Sequence, residues 1–190
     1  MRRLLALALL VLTAAPTSAQ LITDIVPASY VTAALAPGSA YYIDRPYTLT
    51  TVPGALAGAT WIKTANGDKA ITSAVHLTFS LAQPATVYVA YSAGASAPPA
   101  WLAGWTDTGL SLGTTDVALR LYARDLPAGQ VTLGGNFAPP AAGATEHYVV
   151  AVVSAGALPS GVAGIGAVLL TVTPTDLPAY FLPGGVYQRG

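Results

Sequence analysis

Val75-His76-Leu77-Thr78-Phe79-Ser80 and, beyond Pro84, Thr86-Val87-Tyr88-Val89-Ala90-Tyr91 are the runs whose reading decides the fold. In the first, Val75, Leu77 and Phe79 share one face and His76 points the other way. In the second, Val87 and Val89 face together, with Tyr88 and Ala90 opposite. A period of two belongs to a strand with one buried side, whereas a helix repeats its apolar positions every three or four residues. The two runs are therefore read as an antiparallel pair.

Working outward, the same β-branched and aromatic content marks Thr60–Thr64, and Tyr41–Ile43 with Tyr47–Val52 as a strand pair bent at Asp44-Arg45-Pro46. Leu21–Val26 reads as a short strand or arm and Tyr30–Leu35 as a strand, while Asn66-Gly67 carries the signal of a tight hairpin turn. On the other side, Pro98–Ala103 reads as a tight turn or one helical turn that sets Trp101 and Trp105 on one face. Val117–Ala123 and Val131–Leu133 are strands, and Gly134-Gly135 suits a bulge or a close backbone approach. His147–Val153 is almost continuously apolar, as a strand covered on both faces would be, and Ala167–Val172 is a second such run. Roughly nine short strands with almost no helical pattern predict an all-β chain, a single antiparallel β-sandwich of jelly-roll type. Val87, Val89, Leu119, Leu121, Val149 and Val152 are its predicted core.

Met1-Arg2-Arg3, the apolar run Leu4–Leu12 and the small residues up to Ala19 compose a secretory signal peptide, with cleavage expected after Ala19. That run falls short of the ~20 residues a spanning helix needs, and the rival Val162–Val172 is broken by Gly164 and Gly166. The expected organisation is a signal peptide over 1–19, a sandwich domain over 20–153, and an extension over 154–190 that adds a strand and a Pro/Gly-rich tail. No membrane span is expected, and the protein is expected outside the cell or on its surface.

Cysteine is absent from the 190 residues, which excludes a disulfide scaffold and thiolate metal sites. Eight basic residues become six when Arg2 and Arg3 are removed, against eight acidic ones, for a net charge of −2. A nucleic-acid partner is therefore not expected, since phosphate binding draws on clustered Lys and Arg. Only 8% of residues are charged, against roughly a quarter in ordinary soluble domains. A surface so neutral favours adhesion or assembly over repulsion.

Pro98–Asn136 concentrates what charge and indole there is: Trp101, Trp105, Asp107, Asp116, Arg120, Arg124 and Asp125. Such a segment is either a loop anchored on a core or a recognition surface.

The chain as a whole also resembles a known kind of module. Tyr42-x-Asp44-Arg45-x-Tyr47-Thr48, Val52-Pro53, Leu56-x-Gly58 and Ile62-x-Thr64-Ala65-Asn66-x-Asp68-Lys69 carry the likeness in the first half. Thr86–Ala90, Trp101-Leu102, Thr108-Gly109, Thr114-Thr-Asp116, Leu121-Tyr-Ala-Arg124 and Pro127-Ala-Gly-x-Val-x-Leu-Gly-Gly-Asn136 carry it in the second. Together these residues resemble secreted bacterial accessory modules, jelly-roll sandwiches similar to galactose-binding-like domains, over about Tyr30–Val153. The resemblance implies carbohydrate binding beside polysaccharide-active or cell-surface proteins. Ser92–Ser96 departs from it where relatives carry a charged loop, and the residues past Val153 are extra.

The residues themselves point to no catalytic constellation. His76 and His147 lie on separate strands without ligand spacing, so neither metal nor cofactor is expected. Asp44, Asp68, Asp107, Asp116 and Asp125 sit mostly in turns, where carboxylates accept backbone N–H groups, whereas glycoside hydrolysis needs a defined pair across a cleft. The candidate ligand residues are Trp61, Trp101 and Trp105 as stacking surfaces, with Asp44, Arg45 or Lys69 beside them. Asp116 and Arg124 recur in the same motifs. Each has an alternative role, Asp and Arg in pinning loops and Trp in plugging a core. The expected function is that of a secreted, non-enzymatic sandwich binding extracellular polysaccharide or a surface glycan. The alternative is a subunit that self-associates through its C-terminal strand into a filament or surface layer.

Overall fold

The computed structural model describes residues 20–155. The expected signal peptide, the strand Ala167–Val172 and nearly all of the extension lie outside the described residues. Ten strands are present: β1 Ile22–Val26, β2 Val31–Ala34, β3 Leu49–Thr51, β4 Thr60–Lys63, β5 Leu77–Leu81, β6 Ala85–Ser92, β7 Thr106–Thr114, β8 Leu119–Leu126, β9 Gly129–Leu133 and β10 Val149–Ser154. Among the described residues the helical pieces are three short 3₁₀ turns, Gly54–Leu56, Asn66–Ala70 and Ala100–Leu102. None is long and apolar enough to cross a membrane. The strands form two antiparallel sheets, β1-β5-β9 and β2-β4-β10-β6-β8-β7-β3.

The core explains the pattern. Leu77, Phe79 and Leu81 of β5, Ile22 of β1, and Val131 and Leu133 of β9 meet Val87, Val89 and Tyr91 of β6 and Val150 and Val152 of β10 across the space between the sheets. Alternate residues of the large sheet, Trp61, Ala90, Leu119, Leu121, Val149 and Ala151, bury against Tyr41, Tyr42, Leu49 and Leu56 on its other side. The centre of the large sheet is thus covered twice, by the small sheet and by the segment around Tyr41–Ala59. That is why β10 reads as unbroken apolar sequence, with Val149–Val152 all buried. All six predicted core residues are at most 1% exposed.

Three local expectations are corrected, and one strand is not anticipated. β5 and β6 do not pair: β5 lies between β1 and β9, while β6 lies between β10 and β8. Both runs alternate because both face the same core from opposite sheets, a case the period of two cannot tell from pairing. Tyr41–Ile43 forms no strand with Tyr47–Val52. Only the bridges Ala40 to Thr48 and Tyr42 to Thr64 form there, and the regular piece is β3. Asn66-Gly67 opens a 3₁₀ turn instead of a hairpin. Finally, β7 goes unread in the sequence, because Thr106–Thr114 buries only Leu112 and bends between Asp107 and Ser111.

Gly134 and Gly135 are places of close approach. A Cβ on Gly135 would lie 2.7 Å from the Ile71 carbonyl carbon, and one on Gly134 would lie 2.8 Å from the Trp101 indole nitrogen. Phe137 donates its N–H to the Ile71 carbonyl over 2.8 Å, which draws the two loops together.

Leu121→Ala should cost about 2–5 kcal/mol, since the side chain is fully enclosed in the second core. Gly135→Ala should be destabilising as well, because the obstructing atoms are backbone and have little room to retreat. Urea denaturation midpoints test both, and an unchanged midpoint for Leu121→Ala would take β8 out of the core.

Candidate functional site

Of the expected ligand residues, Asp44, Arg45 and Lys69 turn out to gather around one short turn, Asn66–Ala70. Asp44 accepts the Asn66 N–H at 2.8 Å on Oδ1 and the Gly67 N–H at 2.9 Å on Oδ2, so one carboxylate takes both donors that the turn leaves free. Arg45 folds back on Asp44, reaching its carbonyl at 2.7 Å and its carboxylate at 3.1 Å. Lys69 donates to the Thr145 carbonyl at 2.8 Å. From the same turn the Asn66 side chain donates to Glu146 and accepts the His147 N–H at 2.9 Å. These groups hold loops to one another.

Lys69 and Glu146 do border a concavity of about 370 Å³ with Phe137, Ala144 and Thr145. Burial raises the Glu146 carboxyl above its ordinary value, the Asn66 amide and Lys69 oppose the shift, and Asp116 adds to it. One Glu146 oxygen is committed to Asn66, so the carboxyl serves the loop junction.

The two histidines, expected apart, come together. Their ring centroids are 5.2 Å apart, and Tyr30 stands against both. The Tyr30 hydroxyl donates to Asp68 at 2.6 Å, which leaves its oxygen to accept the Nε2–H of His76 at 2.9 Å. Burial and the Asp68 bond push the Tyr30 phenol far above its usual value, so it stays protonated. Nδ1 of His147 lies 2.7 Å from the Tyr148 carbonyl, which can only accept, so Nδ1 carries the proton and Nε2 is a bare acceptor. That buried Nε2 has no partner among the described residues. Desolvation lowers the His147 pKa to about 4. Among the described residues, no group of three or more His, Cys, Asp or Glu side chains is placed to hold a metal.

The three tryptophans part company. Trp61 is at 0% exposure, on the face of β4 covered by Leu49 and Leu56, and so is not available as an exposed stacking surface. Trp101 and Trp105 are half-buried; Trp101 lies within the 3₁₀ turn Ala100–Leu102 and Trp105 follows it, and the N–H groups of Leu102, Ala103 and Trp105 bond back to the carbonyls of Pro99, Ala100 and Leu102. Trp101 is anchored, donating to the Gly135 carbonyl at 3.0 Å and standing edge-on to Tyr148 at 5.3 Å. Trp105 has no such tether. Both indoles wall a concavity of about 200 Å³ with Arg124 from β8 and Gln130 and Thr132 from β9.

Arg124 had been legible as a motif residue, but Gln130 and Thr132 had not. Their signal is weak: they flank buried Val131 in β9 and so face away from the core. Arg45 pairs with Asp44 and Arg120 with Asp107, while Arg124 has no carboxylate partner among the described residues.

Asp44→Ala should cost about 1–3 kcal/mol by orphaning two backbone donors, whereas Arg45→Ala should stay within about 0.5 kcal/mol. Chemical denaturation of both variants checks the contrast. A pH prediction follows from His147. The unfolded chain takes up a proton below about 6.5 and the buried ring only near 4. Stability is therefore full above pH 6.5 and declines as pH falls toward 4, by on the order of 3 kcal/mol. His147→Asn, which keeps a donor without the titration, should flatten that decline. The upward shift of Glu146 acts in the opposite sense in both proteins and cancels from the comparison.

No family model and no curated protein matches the chain. Among solved structures, a beta-glucuronidase from glycoside hydrolase family 2 is similar at TM-score 0.58 and 21% identity over 66% of this chain. A GH138 enzyme targeting pectin rhamnogalacturonan II is similar at TM-score 0.46 and 15% identity over 70% of it. The chain spans only 13% and 16% of the length of those two structures. The first of these likenesses, at 21% identity, shows a shared β-rich fold.

Proposed function

We propose that the protein is a secreted, non-enzymatic carbohydrate-binding module of jelly-roll type whose ligand lies on the wall formed by Trp101 and Trp105. One observation carries this reading. Two adjacent indoles remain partly exposed beside an amide, a hydroxyl and a guanidinium that has no carboxylate partner among the described residues. An indole face covers the apolar C–H face of a sugar ring, and Gln130, Thr132 and Arg124 are suited to its hydroxyl groups. The concavity of about 200 Å³ is smaller than pockets that engulf a ligand. It fits one unit of a longer glycan lying across the surface, which is binding geometry rather than that of a cleft closing over a reaction. The likeness to a domain-sized portion of a beta-glucuronidase is in keeping with this, and the signal-peptide pattern of residues 1–19 supports secretion. The chain passes between the sheets from β1 to β2, β4 to β5, β5 to β6, β8 to β9 and β9 to β10, which supports the jelly-roll assignment. The filament alternative rests on Ala167–Val172, outside the described residues, and gains no observation.

Screening the protein against immobilised glycans, with Trp105→Ala as the control, tests the proposal. Binding by the parent should fall about tenfold or more in the variant, the scale of one lost stacking contact, measured at a temperature where cooperative denaturation shows the variant folded. Failure to bind any glycan at millimolar concentration, or binding indifferent to Trp105→Ala and Trp101→Ala, would remove the indole wall as a site. Trp61→Ala does not serve as this control, because the cavity it leaves should destabilise the fold by about 3–5 kcal/mol.

A further inference from the structure

We propose that the glycan taken by the indole wall is anionic, with a sugar carboxylate held by Arg124; this rests on the carbohydrate-binding reading above and specifies its ligand class. The argument begins with how the other arginines are used. Arg45 and Arg120 are each neutralised by the aspartate at their side. Arg124 rises from β8 on the rim shared by this concavity and the neighbouring depression, the one lined by Gly104, where a Cβ would be 4.0 Å from its Nη1.

The acidic groups nearby are already engaged. Asp125, the next residue, accepts the Thr86 hydroxyl at 2.6 Å across the β6 and β8 pair, in the neighbouring depression that Arg124 also borders. Asp107 is held by Arg120 and by the Gly109 N–H at 3.0 Å. Among the described residues, then, the concavity has a cation on its wall and no carboxylate lining it.

A planar guanidinium offers a fork of donors matched to a carboxylate, which a neutral sugar hydroxyl cannot fill. A hexuronate unit meets the whole set of groups at once. Its ring face lies on Trp105, its carboxylate takes the fork of Arg124, and its hydroxyls reach Gln130 and Thr132. A neutral hexose would leave the fork to water. Because the site is open, the ion pair should weaken as salt screens it, while stacking should not.

The test compares a panel of hexuronate oligosaccharides with the same oligosaccharides after reduction of their carboxylates to hydroxymethyl groups, titrated calorimetrically into the full chain. At least one uronate should bind about tenfold or more tightly than its reduced counterpart, the scale of one charge-assisted pair. That preference should shrink with added salt and vanish in Arg124→Gln, while Trp105→Ala weakens both ligands. Three results would overturn the proposal. If reduced and unreduced glycans bind alike and both depend on Trp105, the carbohydrate reading stands and the anionic assignment falls. If the preference for uronate survives Arg124→Gln, another cation selects it. If neither form binds to protein shown to be folded by its cooperative denaturation, both readings fall together.

Discussion

The entrance to β10 is the constraint on which the rest of this sandwich depends. β10 occupies the middle of the large sheet between β4 and β6, yet the residues leading into it, Glu146-His147-Tyr148, precede the strand and cannot use its ladder. They are buried all the same, so their polar groups must be met by other means. Side chains do it. Asn66 and Asn136 accept the N–H groups of His147 and Tyr148, and Tyr42 and Thr64 donate to the carbonyls of the same two residues. Four side chains from three separate segments thus stand in for a missing strand neighbour. Loss of Asn66, Asn136 or Tyr42 would leave a buried backbone group without its side-chain partner, at about 1–3 kcal/mol, whereas the Tyr148 carbonyl met by Thr64 also accepts from Nδ1 of His147.

This clamp explains the division of labour among the polar residues. Asp44 fixes the turn that carries Asn66, and the Lys69 carbonyl accepts from Asn136 at 3.1 Å, so two of the residues first read as ligand contacts are tied to the clamp. The Tyr91 and Tyr148 hydroxyls are likewise spent on the carbonyls of Asn136 and Gly134. Polar groups committed in this way are poor candidates for a ligand. The side chains of Trp105, Arg124, Gln130 and Thr132 carry no such bond among the described residues, and their wall meets the clamp through the anchored Trp101.

Much of the architecture was legible because it rests on alternation. Val87, Val89, Leu119 and Leu121 announce their faces, and the unbroken run at Val149–Val152 announces burial on two sides. Strand pairing was not legible. β5 and β6 show the same period whether they neighbour one another or face each other across a core, and only the topology distinguishes the cases. The Asn66-Gly67 signal misled for a related reason: its conformation is set by a carboxylate far away in sequence, at Asp44. The indoles were legible as a group but not as individuals, since nothing local to Trp61 reveals that the segment around Leu49 and Leu56 folds over it. The meeting of His76 with His147 depends on β5 and β10 facing one another from different sheets, which no spacing records.

The position of β10 also bears on the order in which the molecule can be assembled. Within the large sheet, β2-β4 on one side and β6-β8-β7-β3 on the other are joined in the strand ladder only through β10, and it is the last of the described strands to be made. Until it arrives, the β4 and β6 edges are open, with apolar side chains on both faces, and are liable to pair with a foreign strand. The joining step closes loops to β4 and β6 that reach back across most of the described chain, which places this sandwich among the slow, topology-limited folders. A chain interrupted before Val149 would keep two partial sheets without the element that unites them, a species prone to aggregate rather than to rest as a smaller domain.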